Sequence, residues 1–441
     1  MNDDPRSILA NSRMGAFQIA AVGVCVLLNA LDGFDVLSIS FASPGIAAEW
    51  GVSRGALGIV LSMELIGMAI GSIFIGSVAD AIGRRPVILG SLVCMVIGMF
   101  LASTASGIEI LSAYRFFTGL GIGGMLASIN AMAAEYSNAR HKNLAVTIMA
   151  AGYPVGAIIG GAVSSALLAH YDWRSVFLFG AAATAVFFPL VWFLLPEAIE
   201  YLTHKRPAGA LEKINKTLKR MGHPTVEALP EVSGEKEKHV GVAKLFSPAL
   251  ARTTVLLTVT YFMHILTFYF MLKWIPKIIV DMGFAASEAG GVLVWANVGG
   301  ASGAFLLGIL TQRFGVRGLT ICSMAIGFFL VVLFGMGQAD LKQLSIVASV
   351  AVFFVNAAIV GLYAIFAQSF PTDVRAGGTG FVIGVGRGGA ALGPVIAGFL
   401  FQGGASLPVV ATIMACGTLI AAGTLALTKP LPVSARAPSV T

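Results

Sequence analysis

The sequence predicts an all-α membrane protein of twelve transmembrane helices in two pseudo-symmetric six-helix halves. Three observations carry that expectation. Of 441 residues, 57% are hydrophobic and only 11% charged, against roughly 25% charged in a soluble domain. Apolar runs of bilayer-crossing length, about 20 residues, recur twelve times, and polar features of the first six return in the second six. Glycine (53 residues) is abundant, as suits helices packed closely in lipid. This composition excludes a soluble enzyme. The net charge of +7 sits in short Lys and Arg clusters between apolar runs, as in membrane loops, so no nucleic-acid partner is expected.

The runs place spans 1 to 12 at 17–43, 54–79, 86–105, 108–136, 143–168, 174–195, 252–280, 287–311, 318–337, 343–370, 376–402 and 405–428. The polar leader before span 1 lacks a small-residue cleavage site, so span 1 is expected to be retained. Cys25, Cys94, Cys322 and Cys416 all lie in apolar stretches with no CxxC and no nearby His, and read as buried small side chains. Lys and Arg fall 21 on the side of both termini and five on the other, with Arg115 and Arg387 inside spans. That asymmetry predicts cytoplasmic termini. Residues 196–251 form the one long loop, dividing an amino-terminal half (1–195) from a carboxyl-terminal half (252–441). Within it Leu211, Ile214, Leu218 and Met221 recur at helical spacing, predicting an amphipathic helix on the cytoplasmic surface.

The halves echo each other. Gly76-x3-Asp80-x2-Gly83-Arg84-Arg85 after span 2 returns after span 8 as Gly308-x3-Gln312-Arg313-x-Gly315-x-Arg317, at one constant offset along the chain. Two duplicated six-helix halves are a transporter architecture with substrate bound near the midplane. Gly152, Gly156, Gly160 and Gly161 in span 5 predict close packing on a neighbouring helix.

Ionisable groups inside spans are functional candidates, since each costs at least about 2.5–3.5 kcal/mol to insert. They are Asp32, Asp35, Glu64, Arg115, His264 and Arg387, with Glu135 at the end of span 4. Counted from the outer ends of their spans, Asp35, Glu64 and Arg115 lie at similar depth, roughly 10–15 Å down. Asp32 shares a helix face with Asp35. One carboxylate can pair with Arg115. The others, desolvated and near like charge, are suited to pick up and release a proton. Whether an aspartate couples protons or only pairs with Arg115 to hold helices in register stays open, and Glu64 reads as structural or pore-lining. Arg387 has no acid in the interior of the spans of its own half, so it predicts a substrate-carboxylate anchor or a bridge to Asp32 or Asp35. His264 is a packing residue or a substrate partner. Tyr153, Tyr269, Trp295, Asn297, Asn356 and Tyr363 suit an aromatic ring with polar substituents. Lys273 and Lys277 read as snorkelling near the outer surface or as drawing anions to the entrance.

The Gly76 to Arg85 loop resembles the signature loop of the major facilitator superfamily, and Arg115-x3-Gly119-x-Gly121 resembles that superfamily's fourth-helix motif. Leu31-Asp32-Gly33-Phe34-Asp35 and Gly386-Arg387-Gly388-Gly389 resemble the aromatic acid:proton symporters, and Glu135 and Arg140 agree with that family. Ala81, where the loop usually carries Arg or Lys, and Glu64 depart from the pattern. The resemblance implies the major facilitator fold, a bacterial cytoplasmic membrane, a monomer, no metal or organic cofactor, and protons as coupling ion. It implies a proton-coupling set of Asp32, Asp35, Arg115 and Glu135. It also implies a cytoplasmic gate of Asp80, Gly83, Arg84 and Arg85, which Glu135, Arg140 and Arg375 can join. The substrate set expected beside these is Arg387, His264, Glu64, Tyr153, Tyr269, Trp295, Asn297 and Asn356. The alternative is a drug:proton antiporter of the same fold. Arg387 opposes cationic substrates, and the Gly-Pro pair usual in span 5 of antiporters stands instead at Gly393-Pro394 in span 11.

Overall fold

The computed structural model describes residues 4–230, 242–337, 340–371 and 374–428. Lys236, Lys238, Lys429 and Arg436, counted in the charge asymmetry, lie outside the described residues. Among the described residues all regular structure is helical. Twelve helices are long and apolar enough to cross a membrane: Ala16–Trp50, Arg54–Ile82, Arg84–Ser103, Ile108–Glu135, Lys142–Leu168, Arg174–Leu194, Ala251–Asp281, Ala286–Leu310, Val316–Gly335, Leu341–Ser369, Gly377–Gln402 and Leu407–Leu427. These are spans 1 to 12. Only span 1 departs far from expectation, continuing through Pro44 to Trp50. Pro44 has no N–H for the Ser40 carbonyl, and the Ser43 hydroxyl donates to that carbonyl instead at 2.9 Å. Asp35 therefore lies about twice as far from this end of the helix as expected. All four cysteines are free; Cys25 is buried as expected, whereas Cys322 is exposed.

The chain forms two compact units. Unit 1 comprises Met1–Ser38, Met63–Gly160 and Tyr171–Glu235; unit 2 comprises Ile39–Ser62, Gly161–His170 and Lys236–Thr441. The division departs from the repeat boundary because unit 2 takes in one end each of spans 1, 2 and 5. Within unit 2, Arg54 pairs with Asp281 at 3.0 Å, and the Gly55 amide donates to the Gln402 side chain at 3.1 Å. Gly58 packs against Pro394 and Gly398 so tightly that a Cβ would strike their backbone.

Glycine faces set the helix spacing, and they do so twice. In unit 1, Gly67 and Gly71 of span 2 lie against the carbonyls of Phe116 and Leu120 in span 4. In unit 2, their repeat counterparts Gly299 and Gly303 of span 8 lie against those of Ser349 and Phe353 in span 10. Gly152 and Gly156 of span 5 pack on the carbonyls of Val26 and Ala30. Their counterparts in span 11, Gly389 and Gly393, pack on those of Phe262 and Leu266. The predicted close packing of the span 5 glycines is thus against span 1, where Gly33 in turn meets the Tyr153 carbonyl. Pro154 frees the Ala150 carbonyl, and the Asn29 amide of span 1 bridges to Met149 (2.7 Å) and Ala150 (3.4 Å).

The linker helix forms as expected, at Ala210–Met221. Its apolar face (Ala210, Ile214, Leu218 and Met221) is buried in the protein, not free to lie in lipid. Arg220 stacks over Phe17 and donates to the Phe193 carbonyl, and His223 hydrogen-bonds Gln18 at 2.9 Å. The helix is therefore a fixed part of unit 1.

Gly156→Ala drives a methyl into the Ala30 carbonyl and is expected to cost about 1–3 kcal/mol by overpacking. Gly90→Ala, with open space at that position, is expected to be neutral or stabilising. Thermal unfolding of the detergent-solubilised variants checks the contrast.

Candidate functional site

Unit 1 holds a cluster of four charges on three spans. Gly119 brings span 4 so close to span 2 that a Cβ there would meet the Glu64 carbonyl. One turn away, Arg115 meets Glu64 in an ion pair with both side chains fully buried. The guanidinium also donates to the backbone carbonyl of Asp35 (2.8 Å) and to the sulfur of Met99 (2.8 Å), and it lies 5.3 Å from the Phe177 ring centroid. Asp32 and Asp35 are buried, and none of their four carboxylate oxygens has a hydrogen-bond partner among the described residues. The Asp35 carboxylate faces Gly180, where a Cβ would stand 3.5 Å from Oδ1. Arg115 thus pairs with Glu64 and reaches the main chain of Asp35. Helical spacing gives each residue's depth but not which carboxylate turns toward the cation.

Glu135 does not join this cluster. It stands at the far end of span 4 from Arg115, about 30 Å away at 1.5 Å per residue, and pairs with Arg84. That pair belongs to a second network at the Gly83 loop. The Glu197 carboxylate accepts the amides of Arg84 (2.9 Å), Arg85 (3.3 Å) and Ala198 (2.9 Å), capping span 3. Gly83, at φ +106°, sits where a Cβ would strike that carboxylate. The Tyr136 hydroxyl donates to the Glu197 carbonyl at 2.7 Å. Burial pushes the Glu197 carboxyl above the ordinary range, against the backbone amides that pull it down. Glu197 was not singled out in the sequence, where it reads as one more charge in a polar linker. Asp80 lines a cleft beside Arg84, Glu200, Tyr201 and Lys205. Arg85 donates to the Trp192 carbonyl at the end of span 6 (2.7 Å). Arg317, its counterpart in the second repeat, donates to the Leu425 and Ala426 carbonyls at the end of span 12. Both arginines cap a helix C-terminus. Arg140 is exposed, and Arg375 donates to the Phe370 carbonyl at 3.3 Å.

In unit 2, span 11 breaks at Arg387, between helices Arg375–Gly386 and Gly388–Gln402. The Arg387 side chain is half-buried, and no acid pairs with it among the described residues. Nearby, Tyr261 packs its ring on Gly386 and hydrogen-bonds Tyr363 hydroxyl to hydroxyl at 3.0 Å. Tyr261, buried and within reach of the Arg387 charge, carried no signal in the sequence beyond being aromatic. His264 is fully buried. Its Nε2 donates to the Val355 carbonyl (2.8 Å) and its Nδ1 accepts from Thr418 (3.0 Å), which ties spans 7, 10 and 12 together and leaves neither nitrogen for substrate. Asn356 bonds the Gly300 carbonyl of span 8, and Asn297 bonds Leu293 in its own helix, both at 2.8 Å. Tyr269 is half-buried against Phe268, while Trp295 is 57% exposed. Tyr153 sits on span 5, its carbonyl against Gly33 between the two aspartates. Lys273, expected to snorkel, is fully buried. Lys277, one turn further on, pairs with Asp281 at the helix end.

The Major Facilitator Superfamily profile matches residues 25–302 and 257–440. The chain belongs to the major facilitator superfamily. It is 31% identical over 424 residues to the gallate transporter of Pseudomonas putida, covering 95% of this chain and 93% of that one. It is 32% identical over 406 residues to the 4-hydroxybenzoate transporter PcaK of Acinetobacter baylyi, covering 90% and 88%. Within the superfamily it stands in the family of such aromatic acid transporters, and it is a transporter, not an enzyme. The fold matches that of a bacterial homolog of the human lysosomal transporter Spinster, solved in an inward-facing and occupied conformation. The TM-score is 0.74 at 16% identity, over 95% of this chain and 97% of that one.

Two outcomes follow from these contacts. Glu197→Ala strips the acceptor from three backbone amides and is expected to destabilise by about 1–2 kcal/mol, as loss of an N-cap does, read as a lower melting temperature in detergent. His264→Ala is expected to lower the melting temperature while leaving the KM for transport near the parent value.

Proposed function

We propose that this transporter is a proton symporter that imports an aromatic carboxylate of the hydroxybenzoate class by alternating access. The observation that carries the reading is the pair Asp32 and Asp35, buried with all four carboxylate oxygens lacking a hydrogen-bond partner among the described residues. A desolvated carboxylate without a partner is relieved by taking a proton, and rehydration on one side of the membrane releases it. The substrate class rests on the relatives that carry gallate and 4-hydroxybenzoate and on Arg387. A guanidinium with no acid partner suits a carboxylate by its planar fork, and the Tyr261–Tyr363 hydroxyl pair beside it offers polar contacts to ring substituents. Spans 7 to 12 carry acids only at their ends, Asp281 and Glu288, so the anion meets little repulsion there. The Arg and Lys asymmetry supports cytoplasmic termini in a bacterial cytoplasmic membrane. The Glu197, Arg84 and Glu135 network then serves as the cytoplasmic gate, and the protein works as a monomer without a cofactor.

The test is uptake of labelled 4-hydroxybenzoate and gallate into proteoliposomes with and without an inward proton gradient. Wild-type protein is expected to accumulate substrate only with the gradient. Asp32→Asn and Asp35→Asn are expected to lose accumulation and keep substrate counterflow. Arg387→Ala is expected to raise KM by about 10- to 150-fold, the value of a charge-assisted hydrogen-bond pair. Export of a cationic dye with no uptake of any aromatic acid overturns the reading in favour of an antiporter.

A further inference from the structure

We propose that Glu64 is a positioning residue for proton coupling: by neutralising Arg115 it leaves Asp32 and Asp35 free to exchange protons. The inference rests on the symport reading above. Unit 1 places three carboxylates beside one guanidinium, whose single charge neutralises only one of the three. The structure gives the guanidinium to Glu64 and turns its other NH groups to the Asp35 main chain and the Met99 sulfur. The cation therefore sits beside Asp35 without holding its carboxylate, which faces Gly180.

Among the described residues of unit 1, these neighbours of the cluster add no other charge. Span 1 contributes Asp32 and Asp35, span 2 Glu64 and span 4 Arg115, while spans 3, 5 and 6 of unit 1 bring Met99, Tyr153, Phe177 and Gly180. The pair is also held rigidly. Gly67 and Gly71 of span 2, with Gly119 and Gly123 of span 4, lock the two backbones together beside it, toward the C-terminal ends of both helices.

A purely structural role for the pair is answered by the second repeat. The offsets that map Gly67 onto Gly299 and the Phe116 carbonyl onto that of Ser349 map Glu64 onto Ala296 and Arg115 onto Ala348. Both alanines are fully buried, and the contacts of Gly67 and Gly71 recur beside them as those of Gly299 and Gly303, with Val352 and Asn356 where span 4 has Gly119 and Gly123. The helix pair therefore assembles without an ion pair, and the charges are present only in the repeat that carries the aspartates.

Glu64→Gln in the full-length protein, reconstituted in proteoliposomes, tests this with labelled 4-hydroxybenzoate. Counterflow, which needs no net proton movement, is expected to persist. Gradient-driven accumulation is expected to fall by about tenfold, within the usual range of coupling energies, because Arg115 then draws on Asp35. Glu64→Asp is expected to restore accumulation. The double variant Glu64→Gln with Arg115→Gln leaves no lone buried charge and is expected to recover accumulation relative to the single variant. Unchanged accumulation in Glu64→Gln overturns the assignment, as does equal loss of counterflow and accumulation at normal abundance. Should the single variant fail to fold, the double variant decides: accumulation supports the role, and counterflow without accumulation overturns it. Wild-type protein that does not accumulate substrate would instead sink the symport reading itself.

Discussion

A charge inside a lipid-spanning helix must find a partner or a proton, and the amino-terminal repeat is organised around that constraint. Arg115 is the fixed point. Removing one partner of a buried ion pair typically costs about 3–5 kcal/mol, because the other charge is left uncompensated, so Glu64 and Arg115 each need the other to stay charged. Backbone approach at Gly119 makes the pairing possible, because a Cβ there would push span 4 away from Glu64. The arginine and glycine of the fourth-helix motif are thus one device, in which the glycine sets the distance and the arginine uses it.

The duplication shows what was kept and what diverged. Both repeats retain the glycine faces that join spans 2 and 4, 8 and 10, 1 and 5, and 7 and 11. Both retain an arginine that caps the last span of its half, Arg85 on Trp192 and Arg317 on Leu425. The buried charges diverged: acids and Arg115 lie in one repeat, while Arg387 stands in the other with alanines at the positions of the ion pair. That division fits a proton site in one half and an anion site in the other.

Much of this was legible in the sequence. Span number, loop motif, repeat offset and the identity of the buried charges follow from hydropathy and spacing, but the distance of Asp35 from its helix end does not, because span 1 runs on to Trp50. Azimuth is less readable. The sequence offered Asp32 or Asp35 as the named partner of Arg115, and side-chain direction gives that place to Glu64 instead. An amphipathic pattern is the same whether its apolar face meets lipid or protein, so the burial of Ile214 and Leu218 within unit 1 was not foreseeable. Span 1 continues beyond Pro44 with the Ser43 hydroxyl on the carbonyl that the proline leaves free. The cap made by Glu197 depends on a chain reversal that brings residue 197 to residue 84. His264 was ambiguous because a lone histidine in a span serves packing and ligand binding equally well, and its two protein partners become visible only once spans 10 and 12 are placed beside it.

On the proposed symport, a proton travels with the substrate on Asp32 or Asp35 while Glu64 and Arg115 stay paired. The most direct measurement is the internal pH of proteoliposomes loaded with a pH-sensitive dye as 4-hydroxybenzoate is added outside, with no imposed gradient and the membrane potential clamped. The account predicts acidification inside that follows substrate entry in the wild-type protein and disappears in the Asp32→Asn, Asp35→Asn double variant, whose substrate exchange persists. Substrate entry without any change of internal pH, or acidification that survives in the double variant, would contradict it.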